Sequence, residues 1–177
     1  MDLVKEIDDI IENQFSHKVR EKGIKMSIIN NSIEDHWWIN VDKQRLNQIL
    51  INVIDNAIKF SKRDDVINIL IRDYNDFDLN LNQTELDGTK DKDNTYSYRA
   101  VGKEEENQVY IGISDTGKGI SSKVMPNLFE KFTTDSDFGT GLGLYITKKL
   151  VDAHGGRIWA FNNNDGIGST FVFSLPR

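Results

Sequence analysis

From Arg45 to Phe60 the chain reads as a helix whose aliphatic residues cover most of its circumference, so it must be buried on nearly every side. One stripe breaks that pattern. Gln48, Asn52, Asn56 and Lys59 recur at steps of four, four and three and therefore share a face. A buried amide without a partner costs on the order of 1–3 kcal/mol, so a bound ligand is one way to satisfy the stripe, and a face turned to water is the other. Asparagine carbonyl oxygens are hard donors suited to Mg²⁺, which takes few protein ligands and completes its shell with phosphate and water. Lys59 adds a point charge for a phosphate.

Two glycine-rich loops lie downstream. The strand-like run Val109 to Ser114 leads into Asp115-Thr116-Gly117-Lys118-Gly119-Ile120. An acid at a strand end can accept a hydrogen bond from an exocyclic amine, favouring adenine over guanine, and the glycines let backbone approach a planar ring; a plain tight turn fits the same residues. Phe138-Gly139-Thr140-Gly141-Leu142-Gly143-Leu144 precedes a helical pattern, so its amides and the helix N-terminus form an anion site of the kind phosphates favour. A Walker loop would need Gly-Lys-Ser or Gly-Lys-Thr, and the dinucleotide fingerprint fails because Tyr145 and Ile146 follow.

The remaining elements frame these motifs. Leu3, Ile7, Ile10, Ile11, Phe15 and Val19 predict an amphipathic helix closing near Gly23. Met26 to Ile29 and Trp37 to Val41 read as two strands around a turn. Asp42 is placed to cap the helix over Lys43 to Phe60. Val66 to Ile71 and Val109 to Ser114 read as a long hairpin, Gly141 to Ala153 as a third helix stopped at His154-Gly155-Gly156, and Arg157 to Phe161 with Thr170 to Leu175 as a final hairpin. An α+β fold follows, with three helices on one face of a mixed, mostly antiparallel sheet.

At 177 residues the chain suits a single domain spanning 1–177. Its net charge of -6 argues against a nucleic-acid surface. That charge is concentrated: ten acidic and four basic residues lie between Asp73 and Asn107, leaving the rest neutral. With few aliphatics, 73–107 is expected to be a mobile acidic insertion. There is no cysteine, no apolar run long enough to cross a bilayer and no signal-peptide pattern, so a soluble domain in a reducing compartment is expected; a cytoplasmic, monomeric domain is the expectation even where the full-length protein is anchored in a membrane.

Taken in order, the asparagine helix, Asp-x-Gly-x-Gly, Leu128-Phe129-Glu130-Lys131-Phe132, the Gly-Thr-Gly-Leu-Gly-Leu loop and the closing Gly155 to Trp159 and Gly168 to Pro176 segments resemble the ATP-binding catalytic domain of sensor histidine kinases. The resemblance runs from about Leu3 to Pro176 and implies the two-layer Bergerat sandwich shared with gyrase, the 90-kDa heat-shock chaperones and mismatch-repair ATPases. It implies ATP and Mg²⁺ as cofactors, with Asn56 as metal ligand, Asn52 on metal or phosphate, Lys59 on phosphate and Phe60 near the base. Asp115 would recognise the adenine amine, with Gly117 and Gly119 against the ring and Thr170 supporting the network. Residues from about Ser121 to Thr140 would form a lid anchored by Phe129 and Phe132, and Gly139, Gly141 and Gly143 would line the triphosphate. Ile120, Thr140, Leu142 and Leu144 complete the implied contact set.

In hydrolytic and serine-kinase relatives a glutamate stands four residues before the metal-binding asparagine. Here Asn52 takes that place, and an amide cannot accept a proton at neutral pH. Neutral imidazole needs no such base, which points to phosphotransfer onto histidine. None of His17, His36 and His154 has the His-Glu-x-x-x-x-Pro context of a phosphoacceptor, so the expected acceptor lies on a separate dimerisation domain, with a response regulator as the next partner. Thr134 stands where family lids often carry an arginine, which keeps a non-transferring nucleotide sensor as an alternative beside a serine kinase or ATPase.

Overall fold

The computed structural model describes residues 1–30, 37–73, 107–135, 139–164 and 166–177. The expected acidic insertion at 73–107 lies almost wholly outside the described residues, as do His36 and Phe138.

The N-terminal helix forms as expected, with one change of pitch. Asp2 caps α1 (Leu3–Ile10) by accepting from the Val4 amide at 3.1 Å, a π-helical turn follows at Ile11–Phe15, and α2 (Ser16–Lys22) ends on Gly23 at φ 69°. The wide turn is what the sequence requires. Leu3, Ile7 and Ile10 step by four and three into the core, Ile11 is only partly buried, and the next buried apolar residue is Phe15, five beyond Ile10; one extra residue per turn brings it in, only 4% exposed. The second helix, α3 (Lys43–Phe60), is capped by Asp42, whose Oδ1 accepts from the Gln44 and Arg45 amides at 2.8 and 3.1 Å. Ser61 stops it in extended backbone and donates its hydroxyl to the Ala57 carbonyl at 2.8 Å.

Five strands form one mixed sheet in the order β1 (Lys25–Asn30), β2 (Val66–Asp73), β3 (Gln108–Asp115), β5 (Ser169–Pro176), β4 (Ile158–Asn162). β1 and β2 run parallel, and every other pair is antiparallel. The third long helix, α4 (Gly143–Ala153), starts two residues later than the glycine spacing predicts, because Gly141 takes φ 66° and cannot belong to a right-handed helix.

Trp37 to Val41 is not a sheet strand. Trp37 and Ile39 are buried and Trp38 is 66% exposed, so the alternation that predicts a strand is present. Its backbone pairs instead with the N-terminus: Leu3 N–H donates to Trp37 O, Ile39 N–H to Met1 O, and Asp2 bridges Trp38. Alternation reports which side chains are buried, not which strand supplies the ladder.

Strand parity places the chemistry. On β3 Val109, Ile111 and Ile113 face the helices, as do Phe171, Phe173 and Leu175 on β5, while Tyr110, Trp159 and Val172 cluster on the opposite face. Asp115 shares the parity of Ile113 and therefore points under the helices, 3% exposed. The β2–β3 register runs from Ile67 opposite Asp115 to Asp73 opposite Val109, so the start of β2, just after α3, lies beside Asp115. The short link from Phe60 to Val66 then delivers the C-terminal turn of α3 to that acid.

Candidate functional site

A cleft of about 270 Å³ opens between α3, the end of β3, the loop before α4 and the segment after Asp115. That volume is near the lower end of small-molecule sites, whose walls are mostly apolar with few polar groups. Its apolar wall includes Ile51, Ile120, Val124, Leu128, Leu144 and Phe171.

At the closed end Asp115 is held on both oxygens: Gly117 N–H donates to Oδ1 at 2.9 Å and Ser169 Oγ donates to Oδ2 at 2.8 Å. Burial pushes its carboxyl above the ordinary aspartate value, and those two hydrogen bonds pull it back part of the way by favouring the ionised form. An ionised acid there is a pure acceptor with lone pairs left for an exocyclic amine. Thr170, expected to support this network, does not touch the carboxylate but reaches the Asp115 backbone through Asn163, whose Nδ2 donates to the Asp115 carbonyl at 2.9 Å. Thr170 pairs with Ser114 in the ladder and turns to the other face, where its hydroxyl meets Ser114 Oγ at 2.9 Å and Asn163 Oδ1 at 2.7 Å. Ser169, one step further, has the inward parity of Phe171. That parity was the signal that could have found it.

Gly117 does not line the cleft; it serves by donating its amide to Asp115, and a Cβ there would stand 2.6 Å from the Phe60 carbonyl oxygen. Gly119 and Ile120 do line it, fixed by Asn162, whose side chain accepts from the Ile120 amide at 2.7 Å and donates to the Ile120 carbonyl at 2.9 Å.

Along α3, Asn52, Asn56, Lys59 and Phe60 face the cleft together with Ile51 and Asp55, whereas Gln48, part of the same sequence stripe, is exposed outside it. Asn52 Nδ2 donates to the Gly143 carbonyl at 3.3 Å and to Thr147 Oγ1 at 3.1 Å, tying α3 to α4. The Gly143 carbonyl can only accept, so the amide nitrogen faces α4 and Oδ1 is left over. The Asn56 side chain has no hydrogen-bond partner among the described residues, although the residue is half-buried. Lys59 and Lys118 place their ammonium groups 5.4 and 4.8 Å from the Phe60 ring centroid.

Gly139, Thr140, Gly141, Gly143 and Leu144 line the opposite wall, where α4 begins at Gly143 and its N-cap residue, Leu142, supplies no side-chain cap. Its first amides are therefore available to an anion. Leu142 itself is outside the lining, and so is Phe132, which is 73% exposed at φ 64° while Phe129 packs on the core. Phe132 is tied down by its backbone: its N–H donates to the Gly141 carbonyl at 2.9 Å. Lining residues not expected from the sequence are Ile51, Asp55, Val124, Ser169 and Phe171, with Thr133, Thr134 and Asp135 on the lid side; Lys118, a candidate stand-in for the lid arginine, also lines the cleft.

The donor set fits a magnesium nucleotide. Asn56 and the spare Oδ1 of Asn52 offer neutral oxygens, and no cluster of three or more His, Asp or Glu side chains among the described residues could hold a metal alone. Mg²⁺ bound largely through phosphate and water asks for no more. An apolar slot ending in a buried acid, opposite an uncapped helix N-terminus, is the layout of a nucleotide-binding α/β sandwich.

Comparison with known proteins agrees. Residues 41–177 match the family described as Histidine kinase-, DNA gyrase B-, and HSP90-like ATPase. Sensor protein KdpD of Clostridium acetobutylicum is 31% identical over 100% of this chain, which spans 16% of KdpD. The catalytic domain of histidine kinase ThkA superposes with a TM-score of 0.72 at 24% identity, covering 99% of this chain and 93% of that one. Full-length ShkA in complex with AMPPNP gives 0.69 at 26% identity, with 99% and 30% covered. ThkA is also known in complex with response regulator protein TrrA. The chain belongs to the histidine kinase-, gyrase B- and HSP90-like ATPase family, with the fold of a histidine kinase catalytic domain. It spans about a sixth of the length of KdpD.

Proposed function

We propose that the chain is the ATP-binding catalytic domain of a sensor histidine kinase, which transfers the γ-phosphate of Mg-ATP to a histidine on a separate dimerisation domain, on the cytoplasmic side. One observation carries the choice of acceptor. At position 52, where a base would serve hydrolysis, stands an amide whose nitrogen is committed to Gly143 and Thr147. A glutamate in that place has no N–H to give the Gly143 carbonyl, so the link between α3 and α4 itself favours the amide. Asp115 accepts the adenine amine, Phe60 and the apolar wall take the base, and Lys59 with the α4 amides takes phosphate charge. Mg²⁺ neutralises the phosphates when bound, with Asn56 and Asn52 Oδ1 as its protein oxygens. What remains for the chain is positioning, the main demand of phosphoryl transfer. The response regulator as downstream partner is supported by the ThkA–TrrA complex.

The test is transfer from labelled ATP to a histidine-bearing dimerisation domain, giving an acid-labile, base-stable product. Tight Mg-ATP binding without transfer to such a domain would instead favour a nucleotide-sensing module. Asn56→Ala is expected to remove the Mg²⁺ dependence of binding; retained dependence in a titration with and without metal would sink the metal assignment.

A further inference from the structure

Asp55 is the acid of the cleft whose partner lies outside it. It sits on α3 between Asn52 and Asn56, lines the cleft, and its Oδ1 is ion-paired with Lys18 Nζ of α2, both side chains being about half exposed. One turn further along α2, Lys22 Nζ donates to the carbonyls of Ile58, Lys59 and Ser61 at 2.7, 3.3 and 3.1 Å. Two lysines on one face of the N-terminal helix thus hold the helix that carries the asparagines, one by its flank and the other by its C-terminal carbonyls.

We propose that Lys18 is a positioning residue for phosphate binding: by holding Asp55 it keeps Lys59, the phosphate cation of the same helix, free. This rests on the reading of the cleft as a Mg-nucleotide site. Asp55 and Lys59 stand four residues apart with the acid on the N-terminal side, the spacing and order in which such pairs form on a helix. Both line the cleft. With Lys18 on Asp55, Lys59 stays over the Phe60 ring with no acid partner among the described residues. Without Lys18 the carboxylate turns to Lys59 and adds its own charge beside the phosphates. Lys118 offers no replacement, since it is paired with Asp135 at 3.3 Å.

The experiment measures affinity for Mg-ATP and for adenosine in wild type, Lys18→Met, Lys18→Arg and the double variant Lys18→Met with Asp55→Asn. Lys18→Met is expected to weaken Mg-ATP by roughly three- to tenfold, the size of one partly solvated charge interaction, while adenosine is held as before. Lys18→Arg and the double variant are expected to restore Mg-ATP binding. An equal loss for adenosine would make Lys18 a merely structural staple, and failure of the double variant to recover would remove Asp55 from the account; either overturns the proposal. Wild type that does not bind Mg-ATP would overturn the parent reading, whereas wild type that binds and Lys18→Met that binds equally well would overturn this one alone.

Discussion

Replacing Ser169 with alanine isolates the electrostatics of the acid at the closed end of the cleft. Ser169 is 4% exposed and Asp115 3%, so the hydroxyl on Asp115 Oδ2 acts in a largely desolvated place. A hydrogen bond to a charged group contributes about 1.5–3 kcal/mol, and one to a neutral group about 0.5–1.5 kcal/mol. Ser169→Ala is therefore expected to destabilise the fold by about 2 kcal/mol near neutral pH and by less in acid, where Asp115 is protonated. The sign follows from the raised carboxyl. A proton is held more tightly in the native state than in the unfolded chain, so this group's contribution to stability falls as pH climbs through the unfolded and then the native value, and its full cost is felt above both. The Ser169 bond opposes that cost, so its removal raises the native value further and steepens the loss. Urea unfolding of both proteins across this range measures the difference, and NMR titration of Asp115 gives the shift directly. A destabilisation independent of pH, or an Asp115 titration unmoved by the substitution, would refute the reasoning.

Three further substitutions probe backbone and interhelical contacts. Gly168→Ala is expected to cost on the order of 3 kcal/mol or more, because φ is 79° and a Cβ would stand 1.9 Å from the Asp115 carbonyl oxygen. Gly166→Ala, at φ 74° with open space around it, should cost only about 1–2 kcal/mol, and comparable thermal shifts for the pair would contradict the packing argument. Asn52→Asp, equal in size, sets a carboxylate against the Gly143 carbonyl and is expected to lower stability by about 2–3 kcal/mol in a denaturant titration, more than Asn52→Ala.

Much of this was legible in the chain, and the exceptions share a cause. The Asp42 cap, the β2–β3 and β4–β5 pairings and the gathering of Asn52, Asn56, Lys59 and Asp115 follow from local pattern and short connections. The parallel β1–β2 pair does not, since its partners are separated by a whole helix and alternation near Trp37 offered a nearer candidate. Thr170 came only from the family resemblance, whereas the parity of Phe171 and Phe173 already pointed Ser169 inward. Gln48 belongs to the polar stripe by spacing, yet α3 extends beyond the cleft at that end. Lys18 and Asp55 lie on different helices, and no periodicity connects them.

The register of β2 on β3 has one more consequence. The ladder reaches Asp115 at one end and Asp73 opposite Val109 at the other, six residues away, so the connection between these strands leaves the sheet about 20 Å from the nucleotide cleft. The two strand ends are ladder neighbours, about 5 Å apart. The ladder alone thus fixes where Asp73 and Val109 stand, at the end of the sheet away from Asp115.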